Sequence, residues 1–227
     1  DELLGMVKDL FFKSHEILYY GPMDQKSAAA SLAENHQHES ACEPIPERFV
    51  APQQTPESKI YLAQYDSKQL YYQQFSNRGE KFNADATPAI QLYNEYFGGS
   101  MNSIVFQEMR EARGLAYSAS ANLSSPAYPN ANYTYSAFIA TQNDKMQQAI
   151  EAFDDIINNM PESEKAFAVG KEALLSRIRT QRTLKTSVLR SYIQCRRLGL
   201  SEPQTKAVFE AVQNMTMDDI KAAQQEW

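Results

Sequence analysis

Arg110 and Tyr117 are the two residues of this chain whose types and spacing best suit a chemical role. They lie within residues 97–118, a stretch that starts with a pair of glycines and breaks again at Gly114. The pattern predicts a turn, an amphipathic helix that ends at Gly114, and a strand that opens at Tyr117. A guanidinium and a phenol that converge beside strand backbone can donate hydrogen bonds to a peptide carbonyl. Neither group can break a peptide bond alone.

The same two residues also have an ordinary structural interpretation. An arginine in the last turn of a helix offsets the negative end of the helix dipole. A tyrosine at the start of a strand can simply cover the edge of a sheet. Composition alone leaves both interpretations of Arg110 and Tyr117 open.

The three histidines are the first candidates for metal ligands. His15 begins a segment like the zinc helix H-E-x-x-H, but the second ligand position holds Tyr19 and the segment has a strand pattern. His36 and His38, with Glu39, lie at a helix end without a third ligand at workable spacing, which favours surface polar residues. The inverted motif H-x-x-E-H does not occur. The sequence therefore predicts no metal site and no cofactor in this chain.

Other catalytic arrangements are also missing from the sequence. There is no G-x-S-x-G motif, and neither Cys42 nor Cys195 has a histidine in a recognisable relation to it. The two cysteines form either one disulfide or two unrelated thiols. The glycine pair before Ser100 lacks the lysine and the spacing of a phosphate-binding loop. The sequence therefore offers no catalytic residue.

A basic stretch follows in the second half of the chain. No acidic residue occurs between Glu172 and Glu202, whereas seven basic residues do: Arg177, Arg179, Arg182, Lys185, Arg190, Arg196 and Arg197. These residues spread around helices with a single aromatic residue, Tyr192, among them, and the net charge of −6 disfavours nucleic acid as the main partner. A surface that docks against a more acidic neighbouring domain is the favoured interpretation.

Composition places the chain among globular proteins. Its 227 residues are 43% hydrophobic and 22% charged, and no apolar run is long enough to span a bilayer, so no membrane partner is predicted. No signal peptide is visible. The chain opens within a helical pattern, so we expect a fragment of a larger protein.

Hydrophobic periodicity predicts an α+β fold. Predicted strands lie at residues 16–20, 59–65, 69–75, 116–123 and 133–140. Predicted helices comprise an opening helix, one capped by Asp24, one that begins at Thr87-Pro88, one from about residue 101 to 113, and a helical tail from residue 143. We expect a mostly antiparallel sheet with helices packed on one face, in a single domain over residues 1–227.

The motif around Arg110 and Tyr117 resembles the C-terminal-type domain of the M16 zinc metallopeptidases. This family includes pitrilysin, insulin-degrading enzyme and the mitochondrial processing peptidases. The likeness rests on residues 98–100 and 106–117, and it extends to the opening strand and Gly21-Pro22 and to the order of the later strands and helices. The resemblance implies the LuxS/MPP-like metallohydrolase fold.

The resemblance also implies that the active site is shared between two halves of the protein. Family members enclose a chamber between two halves, one of which carries zinc and H-x-x-E-H, while the other contributes an arginine and a tyrosine that bind substrate. By motif match these residues are Arg110 and Tyr117. The expected partners are a peptide substrate and a zinc-bearing catalytic domain, in the same polypeptide or in a partner subunit. This chain alone is expected to be inactive.

Two further expectations follow from the resemblance. The family also contains core-type homologues that keep the fold without peptidase function and serve assembly alone, so a purely structural role is the alternative. The resemblance also favours a location in the bacterial periplasm.

Overall fold

The computed structural model describes residues 2–36, 42–44 and 50–227, and the contacts of the chain divide it into two units. One unit comprises Asp1–Val50 and Thr183–Ile193, and the other comprises Ala51–Arg182 and Gln194–Trp227. The expectation of a single domain over residues 1–227 stays a prediction.

The smaller unit contains the two predicted N-terminal helices. Helix α1 spans Glu2–Leu10 and helix α2 spans Gln25–Asn35. The Asp24 side chain caps α2 by accepting hydrogen bonds from the backbone N–H groups of Lys26 and Ser27. The Ser27 hydroxyl also donates to this carboxylate, and these hydrogen bonds hold the pKa of Asp24 below its usual value. The predicted cap of α2 is therefore confirmed.

Two of the five predicted strands do not form. Residues 16–20 and residues 59–65 both run without regular secondary structure. In the first segment, the Tyr19 hydroxyl accepts a hydrogen bond from the Met23 backbone N–H, which favours a local turn. In the second, Ile60 and Leu62 remain about nine-tenths exposed. Apolar and aromatic residues favour extended backbone, but a strand also requires a neighbour with which to form a ladder, so both predictions are wrong.

The sheet of the larger unit has three antiparallel strands in the described residues. They are β1 (Gln69–Ser76), β2 (Ser118–Ser124) and β3 (Thr134–Gln142), in the order β1-β3-β2. Ala121 on β2 pairs with Ala137 on β3. Alternate residues of β2 are buried and exposed, as expected for a sheet with one face on the core. These three strands confirm the corresponding predictions to within two residues at each end.

Helices cover the buried face of this sheet. The helix α3 (Thr87–Phe97) precedes β2, and a helical segment at residues 104–112, which begins with α4 (Ile104–Phe106), follows α3. The later helices are α5 (Met146–Asn158), α6 (Glu164–Thr180), α7 (Thr186–Leu198), α8 (Thr205–Asn214) and α9 (Met217–Glu226), of which α7 belongs to the smaller unit as far as Ile193. Except for α7, each of these helices contributes to one hydrophobic core, together with Ala121 and Ile139 of the sheet. The predicted α+β class, with helices on one face, is confirmed.

Two aromatic residues of α3 show how complete this core is. Tyr96 and Phe97 are 1% and 0% exposed, and the Tyr96 hydroxyl donates to the Pro161 carbonyl oxygen at 2.6 Å. Burial raises the pKa of the Tyr96 phenol above its usual value.

No helix within the described parts of the chain is both long enough and apolar enough to cross a bilayer.

The end of α3 forms hydrogen bonds with the outer edge of β2 at Ala121 and Leu123. The Asn94 side chain accepts a hydrogen bond from the Leu123 N–H and donates one to the Leu123 carbonyl, both at 2.9 Å. The Gly98 carbonyl oxygen accepts a further bond from the Ala121 N–H at 3.3 Å. Side-chain and backbone groups of α3 therefore occupy positions that another strand would otherwise take.

We predict that Gly98→Ala destabilises the fold. A Cβ at this position would lie 2.4 Å from the Ala121 carbonyl oxygen, so the backbone of one element has to move. The expected loss is on the order of 1–3 kcal/mol, as for overpacked sites, measured by urea unfolding. Gly5→Ala is the control, because no atom lies within 4 Å of that Cβ position. Equal unfolding midpoints for Gly98→Ala and the unchanged chain would contradict the close contact.

Candidate functional site

The segment that carries Arg110 begins as an α-helix and continues as a π-helix. Helix α4 spans Ile104–Phe106, and a π-helical turn spans Gln107–Ala112. The predicted helix over residues 101–113 is therefore present, but it starts later and most of it is not α-helical. Gly114 follows with φ of +60°, as the predicted left-handed cap requires. π-Helical turns are rare and occur frequently at functional sites.

The chain after Gly114 turns back toward the helix and then enters the sheet. The Met109 carbonyl oxygen accepts hydrogen bonds from both the Leu115 and the Ala116 N–H groups, at 2.9 and 3.1 Å. The Tyr117 N–H then donates to the Ala140 carbonyl oxygen on β3 at 2.9 Å. The backbone on both sides of this turn is therefore fixed, and Tyr117 is returned to the vicinity of Arg110.

Two side chains from outside the motif hold the same turn. The buried Thr141 hydroxyl on β3 donates to the Leu115 carbonyl oxygen at 2.5 Å. The Lys145 ammonium donates to the Gly114 carbonyl oxygen at 3.1 Å. The sequence analysis missed both residues, because they contact the turn only through the tertiary fold and carry no local signal.

The structure brings Arg110 and Tyr117 together. The Arg110 Cζ atom lies 5.6 Å from the centroid of the Tyr117 ring and 5.0 Å from that of the Phe106 ring. Such cation–π contacts are worth about 0.5–1 kcal/mol each at exposed sites. The Arg110 Nε also lies 3.5 Å from a carboxylate oxygen of Glu111. The guanidinium of Arg110 and the ring of Tyr117 therefore lie beside each other, and their role in binding substrate stays a prediction.

Both functional groups are accessible. Tyr117 is 72% exposed and the Arg110 side chain is 44% exposed. Arg110 offers several N–H donors in a planar fork and Tyr117 offers one hydroxyl. Asn94 and Gly98 occupy the outer edge of β2 at Leu123 and Ala121, so a peptide strand cannot pair with β2 at those two residues.

The histidines do not form a metal centre in the described structure. Among residues 2–36, 42–44 and 50–227, no three His, Cys, Asp or Glu side chains are grouped so that they could hold a metal ion. His15 and His36 do approach each other, with their Nε2 atoms 2.6 Å apart. The sequence analysis did not predict this contact. His38 and Glu39 lie outside the described residues.

The remaining candidates from the sequence are the basic stretch and the two cysteines. Arg177 pairs with Glu95 on α3, and Arg179 lies over the ring of Phe209. Part of the basic stretch is therefore used within the fold. Cys42 and Cys195 are free thiols, which supports their interpretation as two unrelated thiols.

Comparison with known families identifies the domain. The profile described as the peptidase M16 inactive domain matches residues 15–174, which is most of the chain and includes Arg110 and Tyr117. The chain belongs to the M16 inactive-domain family. This result confirms the resemblance drawn from the motif. Comparison with curated proteins finds no match.

Solved structures share the fold of this M16 inactive domain at low sequence identity. A peptidase M16 inactive domain from Pseudomonas fluorescens is 18% identical with a TM-score of 0.63, covering 89% of this chain and 48% of that one. A protease from Helicobacter pylori is 12% identical with a TM-score of 0.64, covering 90% and 50%. A chain of complex III2 from Candida albicans is 13% identical with a TM-score of 0.55, also covering 90% and 50%. This M16 inactive domain therefore spans about half the length of these relatives.

We predict that Thr141→Val weakens the turn that positions Tyr117. Valine keeps the shape of the side chain but leaves the part-buried Leu115 carbonyl without the hydroxyl donor. The expected loss of unfolding free energy is about 1–3 kcal/mol, measured by urea unfolding. Thr141→Ser, which retains the hydroxyl, is the control. A loss in Thr141→Val no larger than that in Thr141→Ser would contradict a role for this hydrogen bond.

Proposed function

We propose that this chain is the metal-free, substrate-binding domain of an M16-type zinc metallopeptidase. The observation that carries the proposal is the convergence of Arg110 and Tyr117 on one exposed surface, with 5.6 Å between the guanidinium carbon and the ring centroid. Membership of the M16 inactive-domain family supports it. In this role the domain binds the peptide and completes the active site and the wall of the chamber.

The proposed chemistry is electrostatic. A peptide carbonyl oxygen gains negative charge as hydrolysis proceeds, and donors already in place stabilise that charge without reorganisation. Arg110 supplies N–H donors with a full positive charge and Tyr117 supplies a neutral hydroxyl. The zinc belongs to a separate catalytic domain, where it would polarise the carbonyl and activate water.

The proposed partner is that zinc-bearing M16 domain, in the same polypeptide or in a partner subunit. The chain covers about half the length of the Pseudomonas fluorescens and Helicobacter pylori structures, which is compatible with a second half in the intact protein. The part of the basic stretch that belongs to the larger unit, residues 177–182 and 194–197, is a candidate surface for this contact. The proposed substrate is a peptide held across the two halves.

A second candidate is a purely structural role in an assembly. The likeness to a chain of the Candida albicans complex III2 supports this alternative, because a related fold occurs within a large complex. The sequence of the remaining protein separates the two candidates. H-x-x-E-H with a downstream glutamate, in the same polypeptide or in a co-encoded partner, favours the peptidase, whereas its absence favours the assembly role.

We predict that Arg110→Ala and Tyr117→Phe each reduce peptide hydrolysis by the intact enzyme. If each side chain contacts the developing oxyanion, the loss in kcat/KM corresponds to about 2–4 kcal/mol. Zinc content, measured by elemental analysis, should stay unchanged because neither residue binds the metal.

Matched controls separate this effect from a general loss of structure. Tyr71→Phe removes an exposed phenol from β1, and Arg113→Ala removes a nearby guanidinium that pairs with Glu108 and Asp155. Both controls should retain most of the activity. Full activity in Arg110→Ala and Tyr117→Phe would overturn the assignment. Stoichiometric zinc together with peptide hydrolysis in the isolated chain would overturn the division into two halves.

A further inference from the structure

Phe106 lies one helical turn before Arg110 and is half-buried, beside the fully buried residues Val105 and Met109. These neighbours anchor the helix in the hydrophobic core, so the backbone that carries Phe106 has a fixed position. The Phe106 ring lies 5.0 Å from the Arg110 Cζ, which is closer than the Tyr117 ring at 5.6 Å. The guanidinium therefore contacts two aromatic rings, one on each side of it in the sequence.

An arginine at an exposed position needs such contacts to keep one orientation. Its side chain has several rotatable bonds, and ordering it costs conformational entropy. Arg110 also has a competing partner, because the Glu111 carboxylate lies 3.5 Å from its Nε. Without a ring beneath it, the guanidinium is free to turn toward Glu111 or into solvent.

The two rings differ in what else they can do. Tyr117 carries a hydroxyl that can bind a peptide, and at 72% exposure its ring is held by few neighbours. Phe106 carries no hydrogen-bonding group and is less exposed than Tyr117. Phe106 therefore cannot donate a hydrogen bond to a peptide, whereas Arg110, which lies over its ring, can.

We propose that Phe106 is a positioning residue that holds the Arg110 guanidinium beside Tyr117. The geometric part of this proposal stands on the ring contacts alone. Its consequence for peptide hydrolysis rests on the proposed function. The motif that carries the chemistry would then comprise Phe106, Arg110 and Tyr117, at spacings of four and seven residues.

The geometric part is tested by NMR on the chain. The Arg110 Nε–H signal is identified by its loss in Arg110→Lys, and the aromatic rings are expected to shift it from the position typical of free arginine. Phe106→Leu keeps an apolar side chain but removes the ring, so the signal should move toward the free position. Phe106→Tyr retains a ring and should preserve the shift.

A matched control tests whether the loss of a phenylalanine ring elsewhere in the chain also moves the Arg110 signal. Phe75→Leu makes the same substitution on β1, where the Phe75 side chain is half exposed. It should leave the Arg110 signal unchanged. Circular dichroism shows whether each variant is folded. An Arg110 signal that is the same in folded Phe106→Leu as in the unchanged chain would overturn the proposal.

The functional part is tested by kinetics of the intact enzyme. Phe106→Leu should lower kcat/KM by about two- to fivefold, the equivalent of one exposed cation–π contact, and Phe106→Tyr should restore it. In an Arg110→Ala background, Phe106→Leu should cause no further loss, because it acts through Arg110. An equal loss in both backgrounds would overturn the positioning role. Unchanged activity in Arg110→Ala would instead refute the proposed function, while the NMR result would still decide the geometry.

Discussion

At the end of α3, the backbone of Gly98 lies against the backbone of Ala121 on β2, at a distance that leaves no room for a side chain. Asn94, one turn earlier, binds both backbone groups of Leu123. This contact fixes where the chain leaves α3. The Tyr117 N–H, bonded to β3, fixes where it re-enters the sheet. The segment that carries Arg110 is thus held at both ends, and its internal geometry follows from that constraint.

The same contact shapes the surface on which the proposed binding depends. A free strand edge would invite pairing with any extended peptide. The end of α3 occupies the edge of β2 at Ala121 and Leu123, and Arg110 and Tyr117 are exposed side-chain donors near the start of the same strand. Recognition through side chains at one carbonyl suits a domain that assists a reaction whose metal lies in another domain.

Much of the fold followed from the sequence because its signals are local. The Asp24 cap, the proline at the start of α3 and the left-handed Gly114 each depend on a few neighbouring residues, and each is present in the structure. The strand predictions at residues 16–20 and 59–65 were wrong for the converse reason. Their apolar and aromatic content favours an extended backbone, but pairing depends on a distant partner that no local pattern encodes.

For the candidate site, the sequence by itself determined the residue types and their spacing. Arg110 and Tyr117 were identified from the motif, and Phe106 could have been found from its spacing of four residues along a helix. The tertiary structure alone decided that the two groups meet. Their approach requires a π-helical turn, the doubly bonded Met109 carbonyl and the Thr141 hydroxyl from β3. Hydrogen bonds between residues distant in sequence set that geometry, and they form only once the sheet has assembled.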